Sequence, residues 1–307
     1  MSEGPEVRII ADKLSTVLLG REIIDAYGKG IEAEVKSDLM GAKVNKIETF
    51  GKNIVISFSS RIFLRNHMMM WGKWRIYERT LFDQGLAHPP PRSLWYRKGK
   101  ADKNRRGKAS IVRVDNQVDA RNDSRVRLVL LTASHAAVQF NGPVIQFSHK
   151  HPSSVSPIAL LGPDPLNNKK KYDKNLVLTR FEERQGKLLS DLLLDQTFVA
   201  GVGNKYKSEI LFQVKLCPFI KASELSRSKR VKLTNQIHKT LLFGYHNNGR
   251  TRLAQSNGAL KDKWTARYWV FRRAGQLCWI CGITNIQMDR KRTRRVTYWC
   301  PNCQGCR

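Results

Sequence analysis

Two cysteine knuckles, Cys278-x2-Cys281 and Cys300-x2-Cys303, limit what this chain can fold into more than any other feature. A CxxC turn aims two thiolates at one point. Two such turns, 18 residues apart here, supply the tetrahedral sulfur set that Zn²⁺ takes. A module this small has little apolar core, so its fold is expected to depend on the metal. Rubredoxin-like iron is the alternative for the same donors. Cys306 lies three residues past Cys303 and competes with it as a ligand; Cys303 is preferred because it repeats the first knuckle's spacing. Cys217 is left over and reads as buried packing. In a reducing compartment this usage points to metal rather than to a disulfide framework.

The remaining 260-odd positions leave room for two domains with cores of their own, since the chain has 307 residues in all. Lys and Arg number 55 against 25 Asp and Glu, a net charge of +30. A basic surface can serve solubility alone, as in some ribosomal proteins. An excess this large points instead to a polyanion, because basic side chains displace counterions from phosphates. No apolar run approaches the roughly 20 residues that span a bilayer. Glu3 and Glu6 precede any apolar stretch, so the start does not read as a signal peptide. The expectation is an intracellular protein without membrane contact.

Apolar residues Val7, Ile10, Ala11, Leu14, Val17 and Leu18 predict a helix over 5–19, stopped by Gly20. Strand signals follow at Lys43–Phe50, Lys52–Phe58, Arg75–Tyr77, Val126–Thr132 and Ala136–Phe140. One helix and then strands predict an antiparallel sandwich or barrel over residues 1–152. Within it, 83–125 reads as a basic insertion with runs at 97–108 and a short strand at Ser110–Val114; a DNA-contacting arm and a passive loop are both open. Residues 153–174 are rich in Pro, Ser, Asn and Lys and read as a linker. Residues 175–265 read as helical, with helices at Leu176–Glu183, Lys187–Asp195, Asn204–Val214 and Ser223–Phe243, the last capped by Ser223. The cysteine module takes 266–307.

Several residues carry chemistry. Removal of Met1 would expose an α-amine on Ser2, with an ordinary pKa of about 7.7–8.0. Such an amine is partly neutral near pH 7 and can form a Schiff base. Glu3 beside it is a candidate general acid and base. Glu6 falls in the first helical turn, where its charge suits the dipole, and it reads either as catalytic or as a plain helix-start residue. Lys52 sits on the turn Phe50-Gly51-Lys52-Asn53, placed to reach a phosphate or a developing charge. In His67-Met68-Met69-Met70-Trp71-Gly72 the methionines are either core filler or a wedge. Gly201-Val202-Gly203-Asn204 opens a helix whose exposed amides form an anion site, with charge from Lys205 and Lys207.

Taken together these motifs resemble the Fpg/Nei family of DNA glycosylases, and its Nei branch most closely. Family members begin Pro-Glu-Gly-Pro-Glu. Here Ser2-Glu3-Gly4-Pro5-Glu6 matches at all but the first position, the nucleophile. The run Leu194–Ile210 resembles the family's helix–two-turns–helix element, and Leu161-Gly162-Pro163-Asp164-Pro165-Leu166 its interdomain stretch. Tyr298-Trp299-Cys300-Pro301, Asn257-Gly258-Ala259-Leu260 and the residues around Asn204 favour the Nei branch.

The resemblance implies an α+β multidomain fold: an N-terminal β-sandwich with flanking helices, then a helix–two-turns–helix domain with a zinc finger. It implies catalysis by Ser2, Glu3, Glu6 and Lys52. DNA contacts would come from His67, Met70 as the residue that fills the flipped base's space, Asn204, Lys205 and Arg295, which lies five residues before the third cysteine. Zn²⁺ would sit on Cys278, Cys281, Cys300 and Cys303. The expected activity is removal of oxidised bases, chiefly pyrimidines, followed by strand nicking. The partner would be damaged DNA, bound by a monomer without a small-molecule cofactor. A non-catalytic DNA-binding protein on the same scaffold is the rival, supported by Ser2. A zinc-ribbon RNA-binding protein is a more distant one that leaves the N-terminal motif unexplained.

Overall fold

The computed structural model describes residues 2–91, 119–167, 171–253 and 264–306. The basic run 97–108, the strand expected at Ser110–Val114 and the element Asn257–Leu260 lie outside the described residues.

The chain opens with helix α1 (Gly4–Leu18), which starts one residue earlier than expected and has Pro5 in its first turn. Strand β1 (Asp25–Tyr27) and helix α2 (Ala33–Leu39) follow. Strands β2 (Val44–Phe50), β3 (Asn53–Phe58), β4 (Phe63–His67) and β5 (Lys73–Glu78) lead to a short helix α3 (Arg79–Asp83). Strands β6 (Val126–Leu131), β7 (His135–Phe140) and β8 (Val144–Ser148) complete the first half. They form two antiparallel four-stranded sheets, ordered β2-β3-β4-β8 and β1-β6-β7-β5.

The sheets enclose a core in which Ile54, Ile56 and Leu64 meet Leu128, Leu130 and Ala137. Val7, Ala11, Leu14 and Leu18 of α1 pack into the same core, one stripe at helical spacing. β3 is buried at every position, which fits a strand covered on both faces. On the far side of the second sheet, Phe82 of α3 joins Val129, Leu131, Val138 and Phe140 in a second core.

The second half holds helices α4 (Lys174–Glu182), α5 (Leu189–Leu192), α6 (Asn204–Gln213) and α7 (Arg227–His246) around Phe181, Phe198, Tyr206, Ile237 and Leu241. The helix expected over Lys187–Asp195 contracts to α5. Its first N–H groups go elsewhere: Leu189 donates to Ile220 O and Ser190 to Pro218 O. The expected cap at Ser223 is also corrected. Ala222–Glu224 makes a tight 3₁₀ turn, and Ser226 caps α7 by accepting from Lys229 N–H.

The last module carries the hairpin β9 (Gln287–Asp289) and β10 (Thr297–Trp299), then helix α8 (Pro301–Gln304). Its small core of Val270, Cys278, Ile286 and Cys300 rests on Phe212 of α6.

Candidate active site

Four chain segments converge where one end of the sandwich meets α6. They are the start of α1, the β2–β3 turn, the β4–β5 loop, and the tip of the β9–β10 hairpin. Together they line a cleft of about 460 Å³ that touches Ser2, Glu3, Lys52, His67, Met69, Met70, Asn204 and Arg295. Ser2 also borders a neighbouring hollow of about 410 Å³ between α1 and β5, with Lys13, Lys73 and Arg75 on its wall.

Glu3 is almost fully buried, at 1% exposure. Its carboxylate accepts from the N–H groups of Lys205 (2.9 Å) and Tyr206 (3.2 Å) at the start of α6. A charged oxygen there satisfies orphan donors and meets the positive end of the helix. Glycines make the approach possible. A Cβ on Gly203 would stand 2.4 Å from Glu3 Cδ. Gly4 N–H donates to Gly201 O at 2.9 Å, and Gly201 adopts φ +86. Gly51, at φ +58, donates its N–H to Asp164 Oδ2 at 2.7 Å.

Lys52 follows Gly51 in the two-residue turn between β2 and β3. Burial lowers its pKa; Glu3 opposes that shift and Arg295 adds to it. His67 ends β4. Burial, with Lys52 and Arg65 nearby, brings its pKa down to about 4, so the ring is neutral at pH 7. Its Nδ1 accepts from Met69 N–H at 3.1 Å, which leaves Nε2 carrying the proton. The methionine run divides in two. Met68 belongs to the core, whereas Met69, Met70 and Trp71 are each nearly half exposed, and the first two of these line the cleft. The loop crosses from one sheet to the other, and Gly72 N–H closes it on Met68 O at 2.8 Å.

Lys205 is a correction. Expected to contact DNA, it is only 6% exposed and points inward. Its ammonium pairs with Glu6 and donates to Gly249 O at 2.9 Å. Burial would lower its pKa, but Glu6 and Glu3 outweigh burial and the net shift is upward. Glu6 is therefore an ion-pair partner, and it also accepts from Glu3 N–H at 3.2 Å.

Lys207, expected to add charge to an anion site at the start of α6, is likewise corrected: it is fully buried, and the amides of Lys205 and Tyr206 there are taken by Glu3. Its ammonium donates to Asn204 Oδ1 (3.0 Å), Thr297 Oγ1 (2.9 Å) and the carbonyls of Arg295 and Val296 (3.3 Å each). It thereby fixes Asn204 and the hairpin tip to one point. Burial brings its pKa down to about 8. The i, i+3 spacing of Asn204 and Lys207 was the available signal. The Arg295 side chain remains exposed. Glu209, also buried, accepts from the N–H groups of Trp269, Val270 and Phe271, each at 2.8 Å, and from Thr251 Oγ1.

The sulfurs of Cys278, Cys281, Cys300 and Cys303 lie within 4.8 Å of one another and could hold a metal ion. The Cys278–Cys303 and Cys281–Cys300 sulfur separations are 3.7 Å. Edges of about 3.8 Å follow from tetrahedral metal–sulfur bonds of about 2.3 Å. The readings of Cys217 as packing and of Cys306 as a competing ligand are corrected: the two form a disulfide, with Cα atoms 5.2 Å apart. α8 and Gly305, at φ +59, turn the chain back, and Gln304 Nε2 donates to Leu216 O at 2.7 Å, beside Cys217.

Comparison with known proteins agrees with this geometry. Residues 1–129 match the formamidopyrimidine-DNA glycosylase N-terminal domain, and 161–254 match the formamidopyrimidine-DNA glycosylase H2TH domain. Endonuclease 8 of Escherichia coli O139:H28 is 30% identical over 305 residues, covering 99% of this chain and all of the relative. Endonuclease 8 of Klebsiella pneumoniae is 30% identical over 309 residues with the same coverage. A solved Lactococcus lactis Fpg in complex with DNA containing an abasic site shares the fold, with a TM-score of 0.72 over 98% of this chain and 99% of that one, at 21% identity. The chain belongs to the Fpg/Nei family, the DNA glycosylases and AP lyases of base excision repair.

Proposed function

We propose that this chain removes oxidised bases, chiefly pyrimidines, from DNA by a Schiff base on the α-amine of Ser2, and then nicks the strand by β,δ-elimination. The observation that carries the reading is Ser2 and Glu3 on the floor of a cleft whose walls hold Lys52, His67, Asn204 and Arg295. In the first step the neutral amine attacks C1′ as the bond to the base breaks, and the base leaves as an anion that solvent protonates; the Glu3 carboxylate takes the proton the amine sheds and returns it to O4′ as the ring opens to the protonated imine. The protonated imine then draws electrons from the C2′–H bond: loss of the C2′ proton expels the 3′ phosphate, and loss of the C4′ proton next expels the 5′ phosphate. Lys52, with its lowered proton affinity, is the further donor or acceptor at the reacting sugar. Asn204 and Arg295 would hold flanking phosphates. Met70 would enter the duplex in place of the displaced base.

Zn²⁺ fits the four-sulfur set and would be structural, holding the hairpin that presents Arg295. We take the chain to divide into 1–152, a linker at 153–174, 175–265 and 266–307, with the cleft between the first unit and the last two. Among the described residues no helix is long and apolar enough to cross a membrane. A monomer acting on damaged DNA without a small-molecule cofactor completes the reading.

Borohydride trapping on abasic DNA tests it, with the free Ser2 amine first verified by mass spectrometry. A covalent adduct that depends on that amine is expected. If neither the chain nor Ser2→Pro forms one, the non-catalytic DNA-binding reading, favoured by Ser2 where relatives carry proline, takes its place.

A further inference from the structure

We propose that Lys205 is a positioning residue that locks the N-terminal segment to α6, its backbone holding Glu3 and its side chain holding Glu6, so that Ser2 meets the cleft in one register. This inference rests on the Schiff-base reading above. The Lys205 N–H donates to Glu3 Oε1 at 2.9 Å, and the Lys205 ammonium pairs with Glu6. Glu6 in turn accepts from Glu3 N–H, one peptide from Ser2. The ring closes through three short links: α6 to Glu3, Glu3 to Glu6, and Glu6 to α6. Gly249 O takes a second proton of the ammonium at 2.9 Å, which ties the turn after α7 to the same point. The ammonium also lies 4.2 Å from the centre of the Tyr206 ring and 5.7 Å from that of Tyr268. Tight enclosure of this kind leaves it no path to a phosphate.

The ring has an electrostatic consequence. The groups facing Glu6 are Glu3 from its own helix, Lys205 and Tyr206 from α6, and Tyr268 from the segment before the finger. Around Ser2 the cleft adds Lys52, His67 and Arg295, and the neighbouring hollow adds Lys13, Lys73 and Arg75. Lys205 is the cation that neutralises Glu6. Without it, a lone carboxylate close to Ser2 would favour the protonated, non-nucleophilic amine.

The test is single-turnover borohydride trapping on abasic DNA, followed over about pH 6–9, where α-amines titrate, together with DNA affinity and its salt dependence. Lys205→Met is expected to trap about tenfold more slowly at neutral pH, with its profile moved to higher pH and affinity kept within about twofold. Lys205→Arg keeps the charge and should stay nearer the parent. The double variant E6Q/K205M removes both charges. Its profile should return to the parent position, while its rate stays below the parent because the lock is gone. That variant carries the test if Lys205→Met fails to fold. Parent-like rate and profile in Lys205→Met, or a parent-like rate in the double variant, would overturn the inference. So would a loss of affinity in step with rate and a salt slope smaller by about 0.9, the sign of a lost phosphate contact. If the parent itself forms no adduct, the Schiff-base reading fails instead.

Discussion

Lys205 and Lys207 lie two residues apart on one helix, both buried, and each fastens α6 to a different neighbour. Lys205 faces the N-terminal helix and meets a carboxylate. Lys207 faces the metal module and meets only neutral oxygens: an amide, a hydroxyl and two carbonyls. The first has its proton affinity raised and the second lowered, to about 8. Burial acts on both; the partner's charge decides the sign. One junction is thus an ion pair. The other is a network of directed hydrogen bonds, to which the N–H groups of Trp269, Val270 and Phe271 add three more by donating to Glu209.

Metal removal should separate the two junctions most sharply. Structural Zn²⁺ supplies about 10–16 kcal/mol of apparent binding energy in finger peptides. Chelation, or Cys300→Ser, is expected to free the amides of Trp269–Phe271 to hydrogen exchange while those of Lys205 and Tyr206 stay protected. Exchange rising equally at both would erase the distinction.

Glu209→Ala comes next. It strands three buried N–H donors, each worth about 1–3 kcal/mol when unsatisfied, so a loss of about 3–5 kcal/mol is expected in urea unfolding. A loss below about 1 kcal/mol would mean that water replaces the carboxylate.

The third effect is a pH dependence. The folded pKa of Lys207, about 8, lies below its ordinary 10.5. Between those values the unfolded chain binds the extra proton, so stability rises with pH across that window. Relative to Lys207→Met, the parent should gain on the order of 3 kcal/mol from pH 8 to 10.5. Lys205 has the opposite sign, because its raised pKa makes its contribution fall as pH climbs through the folded value. A flat difference for Lys207 would show that its surroundings are wetter than the structure describes.

Arg295→Ala should give the smallest change, with α6 and the metal undisturbed. It removes an exposed cation from a tip that Lys207 holds by main chain. DNA binding should weaken by about 1.5–3 kcal/mol, the range for one charge-assisted contact, and the salt slope should fall by about 0.9. An unchanged slope would assign the contact to Arg294.

The paired cysteine knuckles, the amphipathic start of α1 and the strands β2, β3, β6 and β7 were legible because each is a local pattern. β4 and β8 were not read as strands. Phe63–His67 and Val144–Ser148 alternate weakly and become strands by pairing with each other, the first also with β3. The inward turn of Lys205 was hidden for a related reason. α6 buries Lys205, Lys207, Ser208 and Glu209 together, so no apolar stripe marks its inner face. The three charged groups are satisfied from far along the chain, Lys205 by Glu6, Lys207 by the hairpin and Glu209 by Trp269–Phe271, and separations of that length leave no local periodicity. Cys217 and Cys306 are a third case, with 89 residues between them. Ser2, Glu3, Lys52, His67 and Asn204 could be singled out because motif and chemistry coincide there, and the fold brings them to one cleft.

The glycine junction also has a mechanical meaning. Gly4 meets Gly201 backbone to backbone, and Gly51 N–H is held by the Asp164 carboxylate, so at the inner edge of the cleft the two halves of the chain approach as closely as main chain allows. A side chain in this seam would force the halves apart: a Cβ on Gly4 would lie 3.1 Å from Gly201 Cα, and one on Gly203 2.4 Å from Glu3 Cδ. The gap between sandwich and α6, and with it the depth at which Ser2 and Glu3 lie, is therefore set by the thickness of a peptide.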